Sequence, residues 1–236
     1  ATRREPLLKI EGLRTYFFVE RGAIKAVDGA YLVLNRGEGL GLVGESGCGK
    51  STIALSIMRL IEDPPGRIVG GRILFDGRDL LKMSDDEIRR IRGSEIAMVF
   101  QDAAVALNPV YTIGDQLTEG IMLHRGLEKE DALNKAIEVL ELTGVPSAKR
   151  RIKNYPHQFS GGMKQRAMIA MALLCEPSLL IADEPTTNLD ATIQAQILDL
   201  IKELKGRSGM SVMMITHNLG IVAQMCDKIG SMYAGH

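Results

Sequence analysis

The chain has 236 residues, with 29 Lys plus Arg against 29 Asp plus Glu, 45% apolar and 25% charged residues. That is ordinary globular composition, which excludes a disordered, collagen-like or coiled-coil chain. A formal charge of zero supplies no bulk positive field, so no nucleic-acid partner is expected. Trp is absent and aromatics make 4%, so aliphatic residues and 12 Met must fill the core. Cys48, Cys175 and Cys226 are scattered, odd in number and form no CxxC pair. This argues against a disulfide scaffold or zinc ribbon and for a reducing compartment. The longest apolar run, Ala167 to Cys175, is far short of the roughly 18 residues of a membrane span. The N-terminal stretch is basic but has no apolar centre, so it does not read as a signal peptide.

In chain order, residues 7–19 and 24–34 read as strands, with Gly22 and Asp28-Gly29 as turns. An apolar strand, Leu40 to Val43, enters GESGCGKST and then an apolar helix from Ser51 to Ile61, stopped by Pro64-Pro65-Gly66. A strand is predicted over 72–75, with a turn at Asp76-Gly77. Ser84 caps a charged helix, with Glu87 in the capping-box position. Glu95 to Phe100 is a strand followed by Gln101. From 102 to 158 the pattern is helical, over 112–125, 128–143 and a short basic stretch 147–153. A long helix follows Ser160. Strand 178–183, helix 191–205, strand 211–216, helix 219–226 and strand 229–234 complete the pattern. Strands alternating with helices predict an α/β fold with a mostly parallel sheet. The helical middle predicts a subdomain inserted into that core.

The segment Gly44-Glu45-Ser46-Gly47-Cys48-Gly49-Lys50-Ser51 fits the phosphate-loop pattern GxxxxGK[ST], with Thr52 next. Its glycines turn backbone N–H groups toward an anion, and the helix start adds its dipole. Lys50 is suited to the β- and γ-phosphates and the Ser51 hydroxyl to Mg²⁺. The apolar strand Leu179 to Asp183 ends in a carboxylate, and Glu184 follows it. Asp183 is suited to the Mg²⁺ shell and Glu184 to activating water as general base. His217 ends the strand 211–216 in a comparable position, as a donor to a γ-phosphate. Ser160, Gly161 and Gly162 open a helix with a good N-cap and exposed backbone N–H groups, a second phosphate-ready surface. The Met stripes 163/168/171 and 210/213/214 read as core, and Lys149-Arg150-Arg151 as a solvated face. Cys48 reads as a small residue tolerated by the loop.

In this order the motifs resemble the ATP-binding subunits of ABC transporters, and more closely those of oligopeptide and dipeptide importers. The stretches that carry the resemblance are KAVDG (25–29), the phosphate loop, QDAAVALNP (101–109), YPHQFSGGMKQRAMIAMALL (155–174), DEPTTNLDATIQAQIL (183–198) and MMITHNLGIVAQMCD (213–227). The FSGGM form and Thr186-Thr187 favour one of the two ATPase types such importers pair. The resemblance implies a P-loop NTPase core with an N-terminal antiparallel β part over 1–101 and 176–236, and a helical subdomain over 102–175. It implies that Gln101 touches Mg²⁺ or the attacking water and senses the membrane subunit. It further implies that Ser160, Gly161 and Gly162 contact ATP held by the opposite subunit, and that Asp190 links the two sites. An aromatic stacks on adenine, Phe17 by register with Tyr16 as the competitor. The implied cofactors are ATP and Mg²⁺. The implied partners are a second ATPase subunit, two membrane-spanning permease subunits and an extracytoplasmic substrate-binding protein, at the cytoplasmic face of the membrane. Relatives run on past this chain's last strand, so a shortened chain is expected, with any iron–sulfur cluster confined to that C-terminal extension. Asn188, Asn218 and the pair Ala103-Ala104 depart from the usual pattern without removing a catalytic group.

Overall fold

The computed structural model describes residues 6–20, 22–186 and 189–236. They form two compact units, Ala1–Arg92 with Gly209–His236, and Gly93–Ser208. The first stretch runs β1 (Pro6–Val19), β2 (Gly22–Asn35), β3 (Gly39–Val43), α1 (Lys50–Ile57), β4 (Gly66–Phe75), β5 (Arg78–Asp79) and α2 (Asp85–Ile91). The second unit holds β6 (Ile96–Val99), α3 (Ala103–Ala106), α4 (Ile113–Arg125), α5 (Lys129–Leu142), α6 (Ala148–Arg151), α7 (Gly161–Leu173), β7 (Leu179–Asp183) and α8 (Ala191–Ser208). The chain returns to the first unit with β8 (Ser211–Ile215), α9 (Leu219–Met225) and β9 (Lys228–Ser231).

In the first unit, β2, β1, β4 and β5 form an antiparallel sheet in that order. Its inner face is built from Leu7, Leu8, Ile10, Leu13, Val27, Leu34, Ile73 and Phe75, all buried. Asp28-Gly29, expected as a turn, lies inside β2. The register slips there, between Leu13↔Ala30 and Arg14↔Asp28, and Gly29 takes φ +91°. A bulge and a turn call on the same glycine chemistry, which is why the sequence signal misled. The strand predicted over 72–75 likewise begins at Gly66 and passes through a register shift near Gly70-Gly71.

The parallel part of this unit has β3 between β8 and β9. The run Gly39 to Leu42 is fully buried, as parallel strands covered on both faces are. A Cβ on Gly41 would come within 2.3 Å of Val222, so α9 packs directly on the backbone of β3. Helix α1 stops at Ile57, before the predicted Ile61, because Arg59 turns left-handed at φ +49°. Arg92 donates to the carbonyls of Met58 and Arg59, each at 2.6 Å, and satisfies carbonyls left unpaired by the helix end. The predicted capping box is present: Ser84 Oγ accepts from the Glu87 N–H, and Glu87 accepts from the Ser84 N–H at 2.7 Å.

In the second unit β6 and β7 pair in parallel, Ile96↔Leu179 through Val99↔Ala182, with every residue of both strands buried. Around the apolar face of α7 gather Ile113, Leu117 and Ile121 of α4 and Ala132, Ala136, Val139 and Leu140 of α5, all buried. Thr112 caps α4, its side chain accepting from the Asp115 N–H at 3.1 Å. Helix α8 extends past the predicted 205 to Ser208, where Gly209 turns left-handed at φ +69°. Among the described residues no helix is long and apolar enough to cross a membrane.

The turn that delivers β3 hangs on one carboxylate. Glu38, 8% exposed, accepts from the Asn35 N–H at 3.0 Å, the Asn35 amide at 2.8 Å and the Lys228 ammonium at 3.0 Å. Burial opposes its ionisation, yet the Asn35 and Lys228 donors outweigh burial and hold its pKa below the ordinary 4.5. Folding therefore gains its full contribution above pH 4.5 and loses it as pH falls through the lowered folded value. Glu38→Gln is expected to lower stability by about 1–3 kcal/mol at neutral pH. It should also weaken the acid-side decline in urea midpoints below pH 4.5. A wild-type acid profile in the variant would remove this assignment.

Candidate functional site

Strand β3 ends where a loop of three glycines begins, and α1 starts where the loop closes. A Cβ on Gly44 would lie 2.2 Å from the Met232 carbonyl oxygen. On Gly49, already at φ +107°, it would lie 2.1 Å from that of Ala26. Both positions are steric necessities, so the loop can form only around glycine. Glu45, Ser46 and Gly47 face solvent, while Cys48 is buried and accepts at its carbonyl from the Gly235 N–H at 3.2 Å. Helix α1 has Gly49 at its N-cap and no side chain bonded to its first N–H groups. Unsatisfied donors at a helix start favour an anion.

Lys50 is 6% exposed. Its ammonium donates to the carbonyls of Gly44 at 2.8 Å and Glu45 at 2.7 Å, with Cys48 Sγ at 3.6 Å. Carbonyl dipoles orient the charge without cancelling it. A buried cation and a helix start without a side-chain cap are features that suit a polyanion, with Ser51 exposed beside them. The hairpin β1–β2 abuts this loop through Ala26. There Tyr16 donates to Asp28 at 2.6 Å, and the Lys25 ammonium reaches the other carboxylate oxygen at 3.1 Å. The Tyr16 bond, then Lys25, hold the Asp28 carboxyl below its usual range. Tyr16 is thus engaged at its hydroxyl and covered by Lys25 at 5.5 Å from its ring. Phe17 lies over Gly66, whose Cβ would touch its ring at 2.8 Å. His217 follows β8 and is exposed. Asn218 accepts from the N–H groups of Gly220 and Ile221 and so caps α9, a role it fills as well as aspartate.

The second unit holds the acidic residues. Asp183 ends β7 and is 6% exposed. Glu184 follows at φ +44°, a conformation that costs a side-chain-bearing residue on the order of 1 kcal/mol or more. Gln101, just past β6, donates to the Glu184 carboxylate at 3.2 Å, so two residues distant in sequence meet, a contact the sequence reading did not name. Ser160 caps α7, accepting from the Met163 N–H at 3.3 Å. A Cβ on Gly161 would meet nothing within 4 Å, and one on Gly162 only Ile193 at 3.5 Å. Nothing in the chain itself requires glycine at either position. Asp190 accepts from the Ile193 N–H at 2.9 Å and caps α8. Thr187 and Asn188 lie outside the described residues. Sequence reasoning missed Gln165, a buried amide on α7 whose Nε2 donates to the Pro185 carbonyl at 2.5 Å. A lone polar residue on an otherwise apolar helix face was the available signal.

Comparison with known proteins points one way. The family model described as ABC transporter matches residues 27–187. A probable peptide ABC transporter ATP-binding protein of Sinorhizobium fredii is 52% identical over 229 residues, 97% of this chain and 68% of that protein. The dipeptide transport ATP-binding protein DppD of Bacillus subtilis is 50% identical over 231 residues, 98% of this chain and 69% of that protein. Among solved structures, a dimeric post-hydrolysis ATP-binding cassette bound to ADP and phosphate superposes with a TM-score of 0.87. It is 28% identical, with 97% of this chain and 95% of that one covered.

The two kinds of glycine separate in a stability measurement. Gly49→Ala is expected to lower the thermal midpoint by several degrees, as a backbone clash costing about 2 kcal/mol or more does. Gly161→Ala should leave it unchanged or raise it slightly, since alanine is the better helix former by about 1 kcal/mol. Equal losses in the two variants would show that Gly161 serves the fold.

Proposed function

The chain belongs to the ABC transporter family of ATP-binding subunits, and we propose that it binds and hydrolyses ATP to drive import of peptides. The observation that supports this most directly is the buried Lys50 ammonium within a glycine loop that tolerates no side chain at Gly44 or Gly49. The identities near 50% to peptide and dipeptide transport ATPases support the cargo class.

The residues divide the work by their chemistry. The loop amides of 44–52 and the Lys50 ammonium bind and orient the β- and γ-phosphates. The Ser51 hydroxyl and the Asp183 carboxylate are hard oxygen donors of the kind Mg²⁺ takes alongside water and phosphate oxygens. When bound, Mg²⁺ neutralises charge on the transferring phosphoryl group. Glu184 accepts a proton from the attacking water. Gln101, bonded to Glu184 at 3.2 Å, orients that carboxylate and that water. His217 donates a hydrogen bond to the γ-phosphate. Phe17 stacks on adenine, a reading supported by the polar engagement that holds Tyr16.

Gly161 and Gly162, which the fold itself does not demand, support a contact of the Ser160 helix start with ATP on an opposing subunit. Asp190, which caps α8, is read as linking the two sites across the dimer. Phe100, Val105, Val110 and Tyr111 expose apolar side chains in the stretch that follows β6. Such a strip supports docking on membrane-spanning permease subunits, with a binding protein delivering peptide on the far side. This chain then sits peripherally on the cytoplasmic face.

Glu184→Gln is expected to keep ATP binding and to lose turnover by about 100-fold or more. Nucleotide binding and phosphate release measured on one preparation check this, and near-normal release would remove Glu184 as the base. Co-expression with a permease pair and a second ATPase should give a complex whose phosphate release rises with peptide. Release insensitive to peptide but raised by sugar or nickel would overturn the cargo class.

A further inference from the structure

We propose that Gln165 is a positioning residue for hydrolysis: through the Pro185 carbonyl it holds the backbone at Glu184 in its left-handed turn. The proposal rests on the reading of Glu184 as general base. Gln165 is 4% exposed, and its Nε2 donates to the Pro185 carbonyl at 2.5 Å. The peptide joining Glu184 to Pro185 has no N–H, so the turn has one backbone donor fewer with which to fix itself. Glu184 at φ +44° is a conformation that persists only where its surroundings over-determine it.

Two amides supply that determination from opposite sides. Gln101 donates to the Glu184 carboxylate at 3.2 Å, and Gln165 secures the chain immediately after it. The buried strand β7 fixes the chain immediately before it. Loss of the Gln165 bond leaves a buried carbonyl without its donor and lets the turn relax, which moves the carboxylate. Catalytic groups displaced by about 1 Å lose rate by roughly two orders of magnitude, while binding groups elsewhere keep theirs.

Gln165 lies on the helix whose first turn is Gly161-Gly162 and whose cap is Ser160. One rigid helix therefore carries both the phosphate-facing cap and the amide that holds Glu184. A shift at the cap reaches Glu184 through a single hydrogen bond.

The test compares Gln165→Met, which keeps length and loses the donor, with Met168→Ala, which removes buried volume from the same helix. Both should lower the melting temperature. Gln165→Met is expected to reduce kcat for ATP by about tenfold or more, with KM within about twofold of wild type. Met168→Ala should stay within about threefold in kcat. Gln165→Glu adds a readout that packing does not move. A buried carboxyl facing a carbonyl donates only when protonated, so turnover relative to wild type should recover as pH falls. Loss of kcat no greater than in Met168→Ala, a rise in KM in place of a fall in kcat, or a flat pH ratio for Gln165→Glu would each overturn the proposal. Glu184→Gln runs in the same assay. Retained turnover there removes the premise itself, a result independent of anything at Gln165.

Discussion

The first unit is organised around a positive charge held out of water. Lys50 spends the desolvation of an ammonium on two carbonyls and a sulfur, none of which carries a formal charge. Such a group is tolerable only in a loop whose dipoles converge on it, and the loop exists only because glycine stands at 44 and 49. Those glycines are in turn set by neighbours far along the chain. Met232 closes on Gly44, Ala26 on Gly49, and Gly235 bonds Cys48. The hairpin β1–β2 and the last residues of the described chain therefore belong to the phosphate loop as much as residues 44–51 do. Glu38 extends the same dependence back to the turn that feeds β3.

The second unit follows a different logic. Its chemistry stands at the ends of two short buried strands, where β6 leads to Gln101 and β7 to Asp183 and Glu184. Residues of such strands have no freedom, so the first residues beyond them are placed with the precision of the core. Helix α7 adds the amide of Gln165 from the side. The hydroxyl and carboxylate that look like ligand groups also do local work: Ser160 caps α7 and Asp190 caps α8. A cap holds its side chain in one direction, which is what a residue expected to meet a nucleotide at a fixed place requires.

Much of this was legible in the sequence because it is local. A strand followed by GESGCGKST, an apolar run ending in Asp183-Glu184, and Ser84 three residues before Glu87 each carry their structure within a few positions. Gln101 and Glu184 were each singled out through motif order, but their direct contact was not legible. What escaped was set by distant partners. Helix α1 ends early where Arg59 turns left-handed and Arg92 takes up the Met58 and Arg59 carbonyls just beyond it. Gly29 and Gly71 make bulges because β1 lies alongside to pair past them. Gln165 was invisible as a functional residue because its partner is a carbonyl, and every residue has one. Asn218, a departure from the family pattern by sequence, is an ordinary cap in the fold.

The left-handed turn at Glu184 sets two quantities against each other. Glycine adopts that conformation without penalty, so the backbone there would be less strained without a side chain, at the loss of the Gln101 bond. A side chain at position 184 therefore works against backbone relaxation there, and the proposed role in turnover is what would call for it. If Glu184 is the base, heat resistance gained by replacing it with glycine would come at the expense of turnover. A stabilised version of the protein must therefore find its gains elsewhere, in the caps, bulges and buried carboxylates that ask nothing of the nucleotide.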